Sequence, residues 1–230
     1  MGRAREALQR PLLLAHRGAH NETIRENSLA ALIAGAEQCD GVEFDVRFSA
    51  EGAAVIVHDE TLDRIFGVPR RVRDLSVMEL AGIGVPTLTE ALAAMPATTL
   101  IDLELKEQPT DALFATLIAA RGPEADGVVV SSFYPGVLRT VEKRAPGWSR
   151  WLNAESAEEA EQATQRGCVG LSVSMDLLND VSISRWREAG LEIAAWTLRG
   201  VECATWASDL RLTALCVEGE GATAARAATR

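Results

Sequence analysis

The chain alternates short β-rich runs with longer segments of helical period, and it repeats this unit eight times between Leu12 and Glu218. Such alternation is the pattern of a parallel sheet wrapped by helices. Strands are expected over Leu12 to Ala15, Gly41 to Val46, Thr99 to Leu105, Gly127 to Ser131, Trp148 to Leu152, Cys168 to Val173, Glu192 to Thr197 and Thr213 to Glu218. Helices are expected from near Asn27, over Thr87 to Met95 after the breaker Pro86, over Asp111 to Ala120, from about Gly136 to Lys143, over Ser156 to Arg166, near Ser182 to Ala189 and over Glu202 to Ala207. Ala53 to Val57 reads as an extra strand after the Glu51-Gly52 turn, and residues 59–86 form the longest connection. Eight units in 230 residues fit an α/β (β/α)8 TIM barrel with a small extra strand and cap segment after the second strand. An open doubly wound sheet would leave two edges exposed, and no Gly-rich phosphate loop argues for one. Without a linker or low-complexity stretch, residues 1–230 read as a single domain.

Charge narrows the partners. Thirty-three acidic against 23 basic residues give a net charge of -10, and no run of Lys and Arg offsets it. Nucleic acid and anionic membrane surfaces are therefore repelled. A phosphate ligand is still admissible, because a few cations in a cleft or a bound divalent metal reverse the potential locally. Cys39, Cys168, Cys203 and Cys216 lack the paired spacing of a zinc site and read as reduced, mostly buried thiols. The apolar run Leu12 to Ala15 is too short for a signal-peptide core or a membrane span, so a cytoplasmic protein without stable membrane anchoring is expected.

A barrel places reactive groups at the carboxyl ends of its strands. His16-Arg17-Gly18 follows the first strand, Glu43-Phe44-Asp45 closes the second, His58-Asp59 ends the extra strand, and Glu104-Leu105-Lys106 ends the third. Alternation puts Glu43 with Asp45, and Glu104 with Lys106, on the inner face, while Phe44 and Leu105 point to the helical layer. Three converging carboxylates repel one another unless a cation compensates, and oxygen-only ligands suit Mg²⁺ or Ca²⁺. The alternative is individual salt bridges from these carboxylates to Arg17, Lys106 or Arg47. Two histidines at strand ends can exchange protons with a reacting group, and Arg17 and Lys106 can hold phosphate oxygens, one as a fork and one as a point charge. His20, in the polar loop from Ala19 to Glu22, reads as solvated or rim. Gly18 reads as a sharp turn, and Asn27 equally as a helix N-cap or a functional residue.

These motifs, together with Glu26-Asn27-Ser28, His58-Asp59-Glu60-Thr61-Leu62-Asp63-Arg64, Pro86-Thr87-Leu88-Thr89-Glu90-Ala91-Leu92, Ser131-Ser132-Phe133 and Trp196-Thr197, resemble the glycerophosphodiester phosphodiesterases over nearly the whole chain. The resemblance implies a (β/α)8 barrel that hydrolyses glycerophosphodiesters to glycerol 3-phosphate and an alcohol, in lipid and glycerol metabolism. It implies one divalent metal, Mg²⁺ or Ca²⁺, on Glu43, Asp45 and Glu104, with His16 and His58 as acid and base. It also implies phosphate contacts from Arg17 and Lys106, and substrate walls from Phe133 and Trp196, although core packing would explain the two aromatics alone. His16 is read as the base and His58 as the acid, acting on a glycerol 2-hydroxyl or on water.

The chain departs from the family pattern at Arg199, where an Asn is usual, and at Val217-Glu218-Gly219, where a Thr-Asp pair is usual. Both are read as changes on a far, substrate-selecting rim. Ser49-Ala50-Glu51-Gly52 reads as a hairpin variation, and the short stretch between His58 and Glu104 as a reduced cap. The competing readings are a related barrel phospholipase acting on lysophospholipids and a barrel that binds a phosphoester without turning it over.

Overall fold

A computed structural model of the chain describes residues 10–200 and 210–228. Its strands are β1 (Leu12–His16), β2 (Gly41–Phe48), β3 (Ala54–Ile56), β4 (Thr61–Leu62), β5 (Val68–Arg71), β6 (Leu100–Leu105), β7 (Val128–Ser132), β8 (Ser149–Ala154), β9 (Gly170–Ser174), β10 (Glu192–Leu198) and β11 (Ala214–Val217). Strands β1, β2 and β6 to β11 are parallel neighbours in that cyclic order. Pairing of β1 with both β2 and β11 closes them into a barrel, and β3 adds antiparallel to the end of β2. The eight expected barrel strands are thus all present, and the fold is the (β/α)8 barrel.

Helices Leu29–Gln38, Leu88–Ala94, Asp111–Arg121, Pro135–Arg144 and Asp180–Glu188 lie between the strands. A last helix, Glu220–Ala228, follows β11 and was not expected from the sequence. Two expectations are corrected and one open reading is decided. Ser28, whose hydroxyl accepts from the Ala31 amide, caps the first helix in place of Asn27. The acidic helix over Ser156 to Arg166 is broken into Ala157–Ala160 and Gln162–Gln165. Residues 59–86 are no simple connection, since they hold the β4–β5 hairpin and a helix, Val77–Ile83, started by a reciprocal Ser76–Glu79 capping box. Their apolar residues Leu62, Val72, Leu75 and Leu80 build a satellite core with Val55 of β3. The helix expected over Glu202 to Ala207 lies outside the described residues. Among the described residues no helix is long and apolar enough to cross a membrane.

Period-2 alternation partitions the barrel's two faces. Phe44, Leu103, Leu105 and Val130 face the helices and join Leu32, Leu88 and Leu113 in the outer core. Leu12, Leu14, Val129, Trp151, Ala194 and Ala214 pack in a separate apolar cluster. The remaining alternate positions are polar and buried: Glu43, Asp45, Asp102, Glu104, Ser131, Asn153 and Ser172. Burying so many polar groups is costly unless they are paired or used, and this layer holds the site.

Candidate active site

His16 is the last residue of β1, and the chain turns directly after it through Arg17 (φ 55°) and Gly18 (φ 77°). A Cβ on Gly18 would lie 2.5 Å from the Ala31 carbonyl, so close approach as well as backbone angle demands glycine. The turn brings the Arg17 amide to Glu43, where it donates to Oε2 at 2.9 Å.

Glu43, Asp45 and Glu104 come together, each offering one oxygen within 4.8 Å of the others. Lys106 Nζ is 2.9 Å from Asp45 Oδ1 and also binds Glu104 Oε1. Arg17 Nε stands 3.3 Å from Asp45 Oδ2, and its Nη1 donates to Glu26 Oε1 at 3.0 Å. Arg47 instead donates to the His58 carbonyl. Asp45 is held further by Asn27, whose Nδ2 donates to Oδ2 at 2.7 Å and whose Oδ1 accepts from the Asp45 amide at 3.3 Å. Asn27 therefore positions the cluster and does not cap the helix.

The cluster carries more negative charge than its cations neutralise. Burial, then Asp45, Glu104 and Asp102, push the Glu43 carboxyl well above the usual carboxylate range. Burial also raises Glu104 to about 7, reinforced by Asp45 and opposed by Lys106. Asp102 rises to about 7, again chiefly through burial. Burial opposes the Asp45 charge too, but Lys106, Arg17 and His58 outweigh it and hold that carboxyl below its ordinary range. Four buried acids thus share Lys106 and Arg17. An all-oxygen set short of positive charge fits a hard divalent cation, and Glu43, Asp45 and Glu104 could hold one.

Both histidines lean on a carboxylate. His16 Nδ1 is 3.3 Å from Glu218 Oε2, and His58 Nδ1 is 2.6 Å from Asp59 Oδ1. When Nδ1–H donates to a carboxylate, Nε2 is the nitrogen left to exchange a proton: a lone pair in the neutral ring, an N–H in the charged one. Burial lowers the His58 pKa, with Asp45 opposing and Lys106 reinforcing. Asp59 is bound by Arg64, which also grips Glu26 at 2.8 and 3.1 Å, and Glu26 binds Arg17. This belt of ion pairs ties His58 to Arg17.

A pocket of about 210 Å³ opens among these groups, lined by His16, His58, Glu43, Glu104, Arg17, Lys106, Phe133 and Trp196. The ninth expected residue, Asp45, is 1 % exposed and meets the pocket through Lys106 and Arg17. Phe133 and Trp196 meet edge to face with centroids 5.6 Å apart, and Lys106 Nζ lies 5.8 Å from the Phe133 centroid.

Three residues hold places that the sequence does not show. Asp102 lines the pocket, and the alternation that paired Glu104 with Lys106 could have found it. Asn27 anchors Asp45, a long-range contact with no local signal. Glu218 is not on a far rim: barrel closure places β11 beside β1, with Ala15 opposite Val217, so the next residues along, His16 and Glu218, meet. Arg199 comes with it, its Nε donating to Glu218 Oε2 at 2.9 Å. His20 is half-buried, not solvated, with Nε2 3.5 Å from Glu218 Oε1.

Fold and site together define a (β/α)8-barrel protein with an acidic, cation-ready pocket flanked by two carboxylate-held histidines. The family model for the glycerophosphoryl diester phosphodiesterase family matches residues 16–219, and the chain belongs to this family. A glycerophosphodiester phosphodiesterase of Caldanaerobacter subterraneus subsp. tengcongensis is 31 % identical over 154 residues, covering 59 % of this chain and 63 % of that protein. The matched stretch is thus under two thirds of this relative's length. Among solved structures, a glycerophosphodiester phosphodiesterase of Thermotoga maritima superposes with TM-score 0.78 at 25 % identity, covering 96 % of this chain and 98 % of the other. A phosphodiesterase of Oleispira antarctica, in complex with the product sn-glycerol-3-phosphate, superposes with TM-score 0.77 at 24 % identity over 95 % of this chain and 97 % of that one.

Proposed function

We propose that this chain hydrolyses glycerophosphodiesters to glycerol 3-phosphate and an alcohol, and that residues 1–230 do so as one domain. The observation that carries the reading is the single pocket on which two carboxylate-held imidazoles, the Glu43–Asp45–Glu104 set, and the cations Arg17 and Lys106 converge. Family membership and the product bound by the Oleispira protein support the same substrate class.

Arg17 and Lys106 neutralise the phosphoryl oxygens. Each is now paired with Asp45, so each exchanges part of that contact for phosphate when substrate enters. A divalent cation on Glu43, Asp45 and Glu104, Mg²⁺ or Ca²⁺, supplies Lewis-acid charge neutralisation when bound. His16 Nε2 accepts the proton of the attacking hydroxyl, oriented by Glu218 at Nδ1. His58, in its protonated form with Nδ1–H held by Asp59, gives its Nε2 proton to the departing alcohol oxygen as the P–O bond breaks. Water as nucleophile gives glycerol 3-phosphate directly, while the glycerol 2-hydroxyl gives a cyclic phosphate that a second hydrolysis opens; trapping of that cyclic ester distinguishes the two. Phe133 and Trp196 wall the alcohol side.

The acidic net charge supports small-molecule diesters over nucleic acid. Cys39, Cys168 and Cys216 as free thiols support a reducing, cytoplasmic setting. The test is a panel of soluble glycerophosphodiesters set against lysophospholipid micelles, with wild type, His16→Ala and His58→Ala. Turnover of the soluble diesters, lost by about 10² to 10⁴-fold in both folded variants, is expected. Turnover of micelles alone, or full turnover in both variants, would overturn the reading.

A further inference from the structure

Beside the carboxylate cluster lies a second group of ligand atoms with different chemistry. His16, His20 and Glu218 each offer one ligand atom, all within 4.8 Å of one another. His16 Nδ1 is 3.3 Å from Glu218 Oε2, and His20 Nε2 is 3.5 Å from Glu218 Oε1. Ligands about 2.0–2.1 Å from a tetrahedral ion stand roughly 3.3–3.4 Å apart, so these two spacings are within about 0.2 Å of a metal's coordination edges. The short turn after β1 brings His20 back beside His16, and β11 supplies Glu218. His20 Nε2 is shielded from solvent and makes no hydrogen bond, with Glu218 Oε1 3.5 Å away.

We propose that His16, His20 and Glu218 form a binding site for a borderline transition-metal ion of the Zn²⁺ class, distinct in chemistry from the all-oxygen Glu43–Asp45–Glu104 set. Two imidazoles and one carboxylate suit Zn²⁺, whereas Mg²⁺ and Ca²⁺ take oxygens. Among the described residues, Glu218 Oε2 is contacted by His16 Nδ1, whose hydrogen bond would give way to coordination, and by Arg199 Nε, whose side chain is largely exposed and can turn into water. Coordination through Nδ1 leaves the His16 proton on Nε2, so the imidazole can no longer accept a proton there. On the proposed function, which this consequence alone rests on, Zn²⁺ at this site switches hydrolysis off; the binding itself does not depend on that reading.

The test uses protein saturated with Mg²⁺ and titrated with Co²⁺, whose visible absorption reports four-coordinate nitrogen ligation, and in parallel with Zn²⁺ while diester turnover is followed. Wild type is expected to show the Co²⁺ band and to lose turnover, with Zn²⁺ and Co²⁺ competing. His20→Ala and His20→Gln, checked for an unchanged melting temperature, should keep basal turnover, lose the band and need at least about tenfold more Zn²⁺ for half-inhibition, the effect of about 1.4 kcal/mol of lost binding. A Co²⁺ band or Zn²⁺ sensitivity unchanged in both variants would overturn the site. Should the protein have no diesterase activity at all, the band and its loss still decide the question.

Discussion

Glu218 Oε2 stands 3.3 Å from His16 Nδ1, across the seam where the last barrel strand closes on the first. The hydrogen bond with His16 does most to hold the Glu218 carboxyl down to about 2, with burial opposing and Arg199 assisting. The carboxylate is therefore charged across the working pH range and fixes which ring nitrogen of His16 carries the proton.

Glu218→Gln should lower kcat by about 10- to 100-fold with little change in KM, a fraction of what a whole acid–base residue contributes. Glu218→Asp, which keeps the charge, should recover part of the loss. Steady-state kinetics of the two variants check this, and equal losses in both would deny the carboxylate an orienting role.

Asn27 offers a stability test. Its amide closes a two-bond ring with Asp45, so Asn27→Ala leaves a buried carboxylate and a buried amide short of partners. A loss of about 1–3 kcal/mol is expected, read as a shift in denaturant midpoint at constant slope. A change within a few tenths of a kcal/mol would mean that Asp45 finds other partners.

The belt beside His58 sets an acid limit. Burial opposes the Asp59 charge, but Arg64 and then His58 overcome it and hold the carboxyl near 2, against 3.8 for an unperturbed Asp. A depressed carboxyl stabilises the fold above its unfolded value, and that stability is lost as pH falls through the folded one. Melting temperature should therefore drop as pH falls from about 4 to about 2, with the step reduced in Arg64→Met and by high salt, since the belt is partly exposed. An identical acid profile in wild type and Arg64→Met would contradict it.

Much of the barrel was legible because alternation is local: strands such as Leu100–Leu105 carry their own period, and Glu104 with Lys106 share a face by spacing alone. What depended on closure was not. Nothing near Val217 says that this strand lies against β1, so Glu218 reads as a distant rim residue until the register places it on His16. Asn27 reads equally as a cap or a functional residue because Ser28, the true cap, is its neighbour, while its partner Asp45 is on another strand. The 59–86 stretch was misread because its apolar residues, Leu62, Val72, Leu75 and Leu80, are spread over short elements with no sustained period.

The central claim is that the buried acids hold a cation needed to cleave a glycerophosphodiester, and metal add-back tests it most directly. Metal-stripped protein is given glycerophosphocholine, Mg²⁺ or Ca²⁺ is restored, and release of glycerol 3-phosphate and choline is followed beside Glu43→Gln. The expected result is no product without a divalent ion, restored turnover with one of the two ions, and a loss of about 10²-fold or more in Glu43→Gln. Full turnover in the stripped protein, or bound substrate left intact under both ions, would contradict it.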